Sequence, residues 1–477
     1  MRRTTDTNRI AKQLCRVFLG LAVAVTLVAS PVTSCFAQAA DSGLPKRFRP
    51  PPPIPPELSI EKPLITAEEV VAWKPKRLEF QDALDKKPTP ATMKIIDEGF
   101  RVLVYDLSIV EKRDELTGIR KSIVRYIDNY VEVRNDAGKK FACKSVVKHA
   151  KALLDGNFHV RMQAVLLIGS LNISPEVPGI RLKPAVAYVD GLATLLDIIR
   201  APEGGIDQPE SVRILAAMSA RRLLERGRHT LQVNSKIPVD CAQRMLAELK
   251  GNGSDWYHQR LIEGLAETAL SSVPNEQNQQ EPLIVEALAR ILANPRRSNE
   301  IRARAAYLLG RVPMPGGLQA APIAYSIVKL TQKIATEVNQ GRLPGGIAIF
   351  QLNDIYLSFV PKVKGETTTD GRKGAGLLST LNQKPIKDAH LDIKPVFQSI
   401  FRQYQAAGKK QIRASFAPAL IGKLNGWPKP ASMALAQGRV EITKALKPAA
   451  AAAARPGTPA APQPQANRQG DNSRQAS

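Results

Sequence analysis

Histidine, cysteine and clustered arginine are the residues of this chain whose chemistry would stand out, and their spacing argues against catalysis. The histidines at 149, 159, 229, 258 and 390 fall in no HExxH or CxxC context, and no CxxCH occurs, so neither a metal site nor an attached haem is signalled. His149 and His159 are expected on different helices, at the surface or at helix ends. No G-x-S-x-G elbow and no Ser/His/Asp order is present. The run Gly371-Arg372-Lys373-Gly374-Ala375-Gly376 offers backbone N–H groups and two bases to a phosphate, but lacks P-loop spacing and reads as a surface loop. Acidic residues are scattered, and no pair is placed to face a cleft. No catalytic residue, cofactor or metal is expected. What does cluster is arginine: Arg221, Arg222, Arg226 and Arg228, then Arg297, Arg304 and Arg311.

Those arginines belong to a strongly basic chain. The 477 residues carry a formal net charge of +25, with 44% hydrophobic and 5% aromatic residues. Residues 1–39 contribute Arg2, Arg3, Arg9, Lys12 and Arg16 against Asp6, leaving +21 on the remainder. Such a field attracts acidic proteins, acidic polysaccharide, lipid headgroups or nucleic acid, and names none of them. Alanine and leucine dominate the apolar residues, which suits close-packed helices better than sheets.

Residues 1–39 have the form of a signal peptide. A basic start precedes the apolar run from Val17 to Ala29, too short to span a bilayer, and Ala37-Gln38-Ala39 is a small-x-small cleavage site. Val32-Thr33-Ser34-Cys35 is a competing site of lipobox type that would lipidate Cys35 and tether the protein. The expected location is therefore exported, in the periplasm or cell envelope, with membrane contact only through such an anchor.

Residues 40–88 read as a proline-rich linker, with Pro50-Pro51-Pro52-Pro53-Ile54-Pro55-Pro56 a polyproline II spacer and residues 57–88 lying against the body. From Thr89 a helical period takes over. Ile95, Ile96, Gly99, Val102 and Leu103 share one face, and Leu116, Ile119, Ile123 and Ile127 another.

A repeat then appears. Val160-Arg161-Met-Gln-Ala164-Val-Leu-Leu167-Ile168-Gly169 returns as Ile301-Arg302-Ala-Arg-Ala305-Ala-Tyr-Leu308-Leu309-Gly310, at an offset of 141. A third copy starts at Val212-Arg213 and a weaker fourth at Tyr257, giving steps of 52, 45 and 44 residues. The long step contains Pro175, Pro178, Gly179 and Pro184, an inserted loop. Asp207-Gln-Pro-Glu210 reads as a capping box. Each copy is preceded by another amphipathic helix, such as the one carrying Leu192, Leu195, Leu196 and Ile199. The pattern resembles the second helix of HEAT/armadillo-type repeats, mainly over residues 140–312. The resemblance implies an all-α, right-handed α-solenoid of stacked antiparallel helix pairs, since one pair cannot bury its apolar face alone. It also implies a structural, inter-repeat role for Arg161, Arg213 and Arg302.

On this reading residues 89–312 are HEAT-like repeats. Residues 313–446 are a further helical region capping the solenoid, with helices expected near 320–338, 346–360 and 393–407. Residues 447–477, rich in Ala, Pro and Gln, are a disordered tail. Cys143 and Cys241 fall on first helices two repeats apart, too distant for a disulfide, and are expected as buried free thiols. Arg221, Arg222, Arg226, Arg304 and Arg311 lie on or beside second helices, which line the concave surface in such solenoids, and are the candidate binding residues. The functional expectation is an exported, non-enzymatic scaffold holding an acidic protein partner. The alternatives are a structural protein binding cell-wall polysaccharide and, behind it, a HEAT-like enzyme. Specific nucleic-acid binding is not expected.

Overall fold

The computed structural model describes residues 59, 61–131, 135–176, 185–200, 208–233, 236–360, 376–408 and 414–444. The signal peptide, Cys35, the polyproline run, the basic loop 371–375, the heart of the inserted loop (177–184) and the tail from 447 all lie outside them.

The architecture is an all-α stack of helix pairs in two layers. The first layer runs α3 (Pro90–Tyr105), α5 (Asp136–Ala152), α7 (Gly191–Ile199), α10 (Lys236–Glu248), α12 (Leu283–Ala293) and α14 (Ala321–Asn339). The second runs α4 (Leu116–Tyr130), α6 (Phe158–Ser170), α8 (Glu210–Arg226), α11 (Asp255–Glu267), α13 (Asn299–Leu309) and α15 (Gly345–Phe359). Each helix packs on its pair partner and on the neighbours in its own layer. This is the geometry of a solenoid, in which each pair finishes burying its apolar face against the next. Short α9 (Arg228–Val233) follows α8, and a single apolar core runs from Ile65 to Ile442. No described helix is long and apolar enough to cross a membrane.

Local chemistry starts these helices where they start. Thr89 and Thr92 form a reciprocal capping box with Pro90 in the first turn of α3. Asn135, Asn157 and Ser254 cap α5, α6 and α11 by accepting the N–H of Gly138, Val160 and Tyr257. Helix α8 departs from the expected box: its N-cap is Pro209 with no side-chain cap bond, and Asp207 lies outside the described residues. Two small antiparallel hairpins, β1 (Asn172–Ser174) with β2 (Val186–Ala187) and β3 (Val273–Pro274) with β4 (Gln280–Glu281), fill the longer links between pairs.

The repeat residues work at the joints. Arg161 donates from Nε to Gly156 O at 2.7 Å, Arg213 to Ile199 O at 3.1 Å and Arg302 to Leu292 O at 2.8 Å. Each guanidinium thereby satisfies a carbonyl at the C-terminal end of the first helix of its own pair or just beyond it. Arg161 also reaches Gln208 Oε1 at 3.2 Å, and Arg213 pairs with Glu248, so both extend to the next repeat. Ala164, Ala216 and Ala305 are fully buried where layers meet. Gly169 and Gly310 sit where no Cβ fits: one would lie 2.4 Å from Cβ of Ser219 and the other 2.1 Å from the carbonyl oxygen of Ser358, each on the next second-layer helix.

Two spans differ from expectation. Within the 40–88 linker, α1 (Ala67–Trp73) and α2 (Arg77–Asp85) are ordered helices, with Phe80 buried edge-on against Trp73, Phe100 and Tyr126. Pro75 does not break them because it sits in the first turn of a 3₁₀ segment, where it replaces no helical donor. Beyond 312, α14 and α15 form one more stacked pair, and α17 (Lys384–Ala407) covers both after short α16 (Leu377–Thr380). From the end of α18 (Pro418–Asn425) to residue 444 the described chain is not helical. It runs back to the start of α14, where Gln319 N donates to Leu435 O at 2.7 Å, and to β4 and α12, where Arg439 pairs with Glu281 and Glu286 at 2.6 and 3.3 Å.

Candidate functional site

The exposed face of the second layer carries two clefts, each cradled by three successive helices, so this face is locally concave. The first, of about 500 Å³, lies between α4, α6 and α8. Its floor is apolar: Val124, Leu166, Leu215 and Met218, the last 43% exposed. Around it stand Arg120, Lys121, Arg125 and Arg222. Arg222 is held in place, donating to Gly169 O and, at 2.9 Å, to Asn172 Oδ1. Burial lowers its pKa to about 10, with Arg226 adding to the effect and Asp128 opposing it. Arg120, Lys121 and Arg125 make no ion pair among the described residues. Arg120 is nevertheless half-buried, and burial alone lowers its pKa. A partly desolvated guanidinium without a counter-charge is unfavourable unless something else supplies one.

The second cleft, of about 480 Å³, lies between α11, α13 and α15. Its centre is Glu263, whose side chain is 2% exposed and accepts from Arg221 Nη1 at 3.0 Å, Arg260 Nη1 at 2.9 Å and Arg304 Nε at 2.9 Å. Burial alone would raise its carboxyl, but Arg304, Arg260 and Arg221 outweigh it and keep the group below the ordinary carboxylate range. Arg304 also approaches Asp354 at 3.6 Å and lies over the Tyr307 ring at 4.9 Å. Asp354 follows the opposite balance: burial pushes its pKa up to about 6 against the pull of Arg304.

Of the five arginines singled out in the sequence, Arg221 and Arg304 converge on Glu263 and Arg222 lines the first cleft. Arg311 bonds Val360 O and Leu357 O at 3.1 and 2.9 Å and lies over Tyr307, binding α13 to α15. Arg226 is exposed in the last turn of α8. The five do not form one patch, and four of them hold helices together. The cations of the first cleft that make no ion pair among the described residues, Arg120, Lys121 and Arg125, are on α4.

Two of the histidines, His149 and His258, are buried. His149, expected at the surface or a helix end, lies in the last turn of α5 but is buried, because its ring nitrogens find Asp97 Oδ1 at 3.1 Å and Tyr105 Oη at 3.4 Å on α3. Ser145 donates to the same Asp97 oxygen at 2.7 Å, so Ser, Asp and His do meet there. The hydroxyl and the imidazole each bind the carboxylate and not one another, which ties α3 to α5 and activates no nucleophile. His258 takes the place of the repeat arginine in the fourth copy. It is fully buried with neither ring nitrogen bonded, and burial lowers its pKa to about 4. Cys143 and Cys241 are free and buried on α5 and α10. Burial pushes the Cys241 thiol up to about 12 and the Cys143 thiol further, so neither is a ready thiolate. Among the described residues no three potential ligands gather to hold a metal.

No protein-family model matches the chain, and no curated protein matches it in sequence.

Proposed function

We propose that this protein is an exported HEAT-like scaffold that holds an acidic segment of a protein partner in the cleft between α4, α6 and α8. The observation that carries this reading is Arg120, half-buried and without an ion pair among the described residues, standing with Lys121 and Arg125 beside an open apolar floor. A segment with carboxylates and one apolar anchor would supply the missing counter-charge and cover Met218, whose flexible thioether adapts to varied shapes. The remaining +21 charge would steer such a partner to the surface and quicken its association. The cell-envelope location rests on the form of residues 1–39, with Cys35 as the point of attachment if the lipobox is used. A binding role is favoured over a catalytic one because the cleft offers cations and apolar surface but no paired acid and base.

The test is retention of proteins from nuclease-treated envelope extract by residues 40–477, at low and high salt, beside the triple variant R120E/K121E/R125E. A discrete acidic protein held by the parent and lost by the variant, with circular dichroism unchanged, is the expected result. Equal retention by both would overturn the reading.

A further inference from the structure

We infer that the cleft between α11, α13 and α15 is a second and separate binding site, for a neutral polyhydroxylated ligand of the oligosaccharide class. Its charged groups already answer one another: Glu263 is surrounded by three guanidinium groups, and Arg304 links it to Asp354. An added anion would meet Glu263, Glu300 and Asp354, and an added cation Arg260 and Arg304, so neither gains a clear partner.

What remains for a ligand is uncharged. Gln259, Gln351 and Asn353 bring three amides to the walls, and Phe350, 50% exposed, presents its ring at the rim. Two lining residues also carry enclosed polar atoms with no partner: the acceptor Gln351 Oε1, on a side chain 7% exposed, and the donor Arg260 Nε. Buried atoms of this kind are costly to leave unpaired. The terminal torsion of Gln351 is soft, so its amide can turn to meet a donor offered from the cleft. A hydroxyl is the small neutral group that both donates and accepts, so one kind of group satisfies both orphans. A pyranose adds several hydroxyls and a C–H face that lies against an aromatic ring. The volume suits a short oligosaccharide.

This inference does not depend on the first cleft. It is tested with full-length protein by saturation-transfer NMR and calorimetry, using cellotetraose, maltotetraose and N-acetylchitotetraose at low and high salt. Tetra-alanine amide serves as a neutral peptide probe. At least one sugar should bind with an affinity that salt does not change. Phe350→Ala, at an exposed position, should weaken it by about tenfold or more, and Asn353→Ala should weaken it less. R120E/K121E/R125E should leave it unchanged. The inference is overturned if no tetrasaccharide binds at millimolar concentration, if binding survives Phe350→Ala, or if the peptide binds as well as the best sugar.

Discussion

The two clefts are built alike and charged differently. Each spans three successive second-layer helices. In the second cleft Glu263 stands one repeat step from both Arg221 and Arg304, so the cations close on it. In the first cleft α6 carries no acidic residue, and the cations of α4 face only apolar surface and Arg222. The difference teaches that net basicity does not locate a binding surface. The location depends on whether an acid lies one repeat away.

That contrast can be broken most forcefully at Glu263. Glu263→Gln keeps the volume but leaves three guanidinium groups without their carboxylate, and should lower stability by about 3–5 kcal/mol in urea denaturation. Arg120→Leu removes a cation from the first cleft that has no partner, and should leave stability unchanged or raise it. Similar losses in both variants would erase the distinction.

A second effect is the pH response below neutrality, in which the largest shifts fall on His258 and Asp354. His258 is neutral when folded, with a pKa near 4 against 6.5 when unfolded. Its stability contribution is therefore complete above pH 6.5 and is lost as pH falls toward 4, by up to about 3 kcal/mol. Asp354 runs the other way, because its folded pKa near 6 exceeds 3.8. Its contribution is present at low pH and lost as pH rises through 6, so it offsets His258. The two nearly cancel, so His258→Gln, which leaves Asp354 unopposed, should raise the denaturation midpoint in acid relative to the parent and leave it unchanged above pH 6.5.

Next in size are the joints. Gly169→Ala and Gly310→Ala should each destabilise by about 1–3 kcal/mol. Gly310 should suffer more, because its new Cβ would lie 2.1 Å from a backbone oxygen of Ser358, whereas at Gly169 the nearest atoms are Cβ and Oγ of Ser219 at 2.4 Å, of which only Oγ can turn away. The smallest effect is expected at exposed Arg226, where replacement by alanine should stay within about 0.5 kcal/mol of the parent in the same assay.

Much of the fold was legible before the structure. The spacing of Leu192, Leu195, Leu196 and Ile199, together with the copies at 160 and 301, required stacked helices. The buried thiols followed from their separation by two repeats. Helices α1 and α2 were obscured because Pro63, Pro75 and Pro88 interrupt the apolar period, while their core depends on ring contacts from Phe80 to Phe100 and Tyr126 far along the chain. The helices α14 and α15 were expected near 320–338 and 346–360, but not as one more stacked pair, because α15 has no arginine to mark it as a repeat. The clefts were the least legible part. Arg221 and Arg304 drew notice as free cations, although Glu263 sits 42 and 41 residues away, close to the repeat step. Applying that step to acids as well as to arginines would have paired them, and would have shown that Arg120, Lys121 and Arg125 meet none on α6.

The most direct test of the central claim is site-specific photo-crosslinking in intact envelope extract, with the reactive group placed at Met218 in the first cleft or at Leu391, which is 64% exposed on α17. The account predicts that Met218 captures a discrete acidic protein, that Leu391 does not, and that R120E/K121E/R125E abolishes the capture. The same products from both positions, or capture at Met218 that survives the charge reversal, would contradict it.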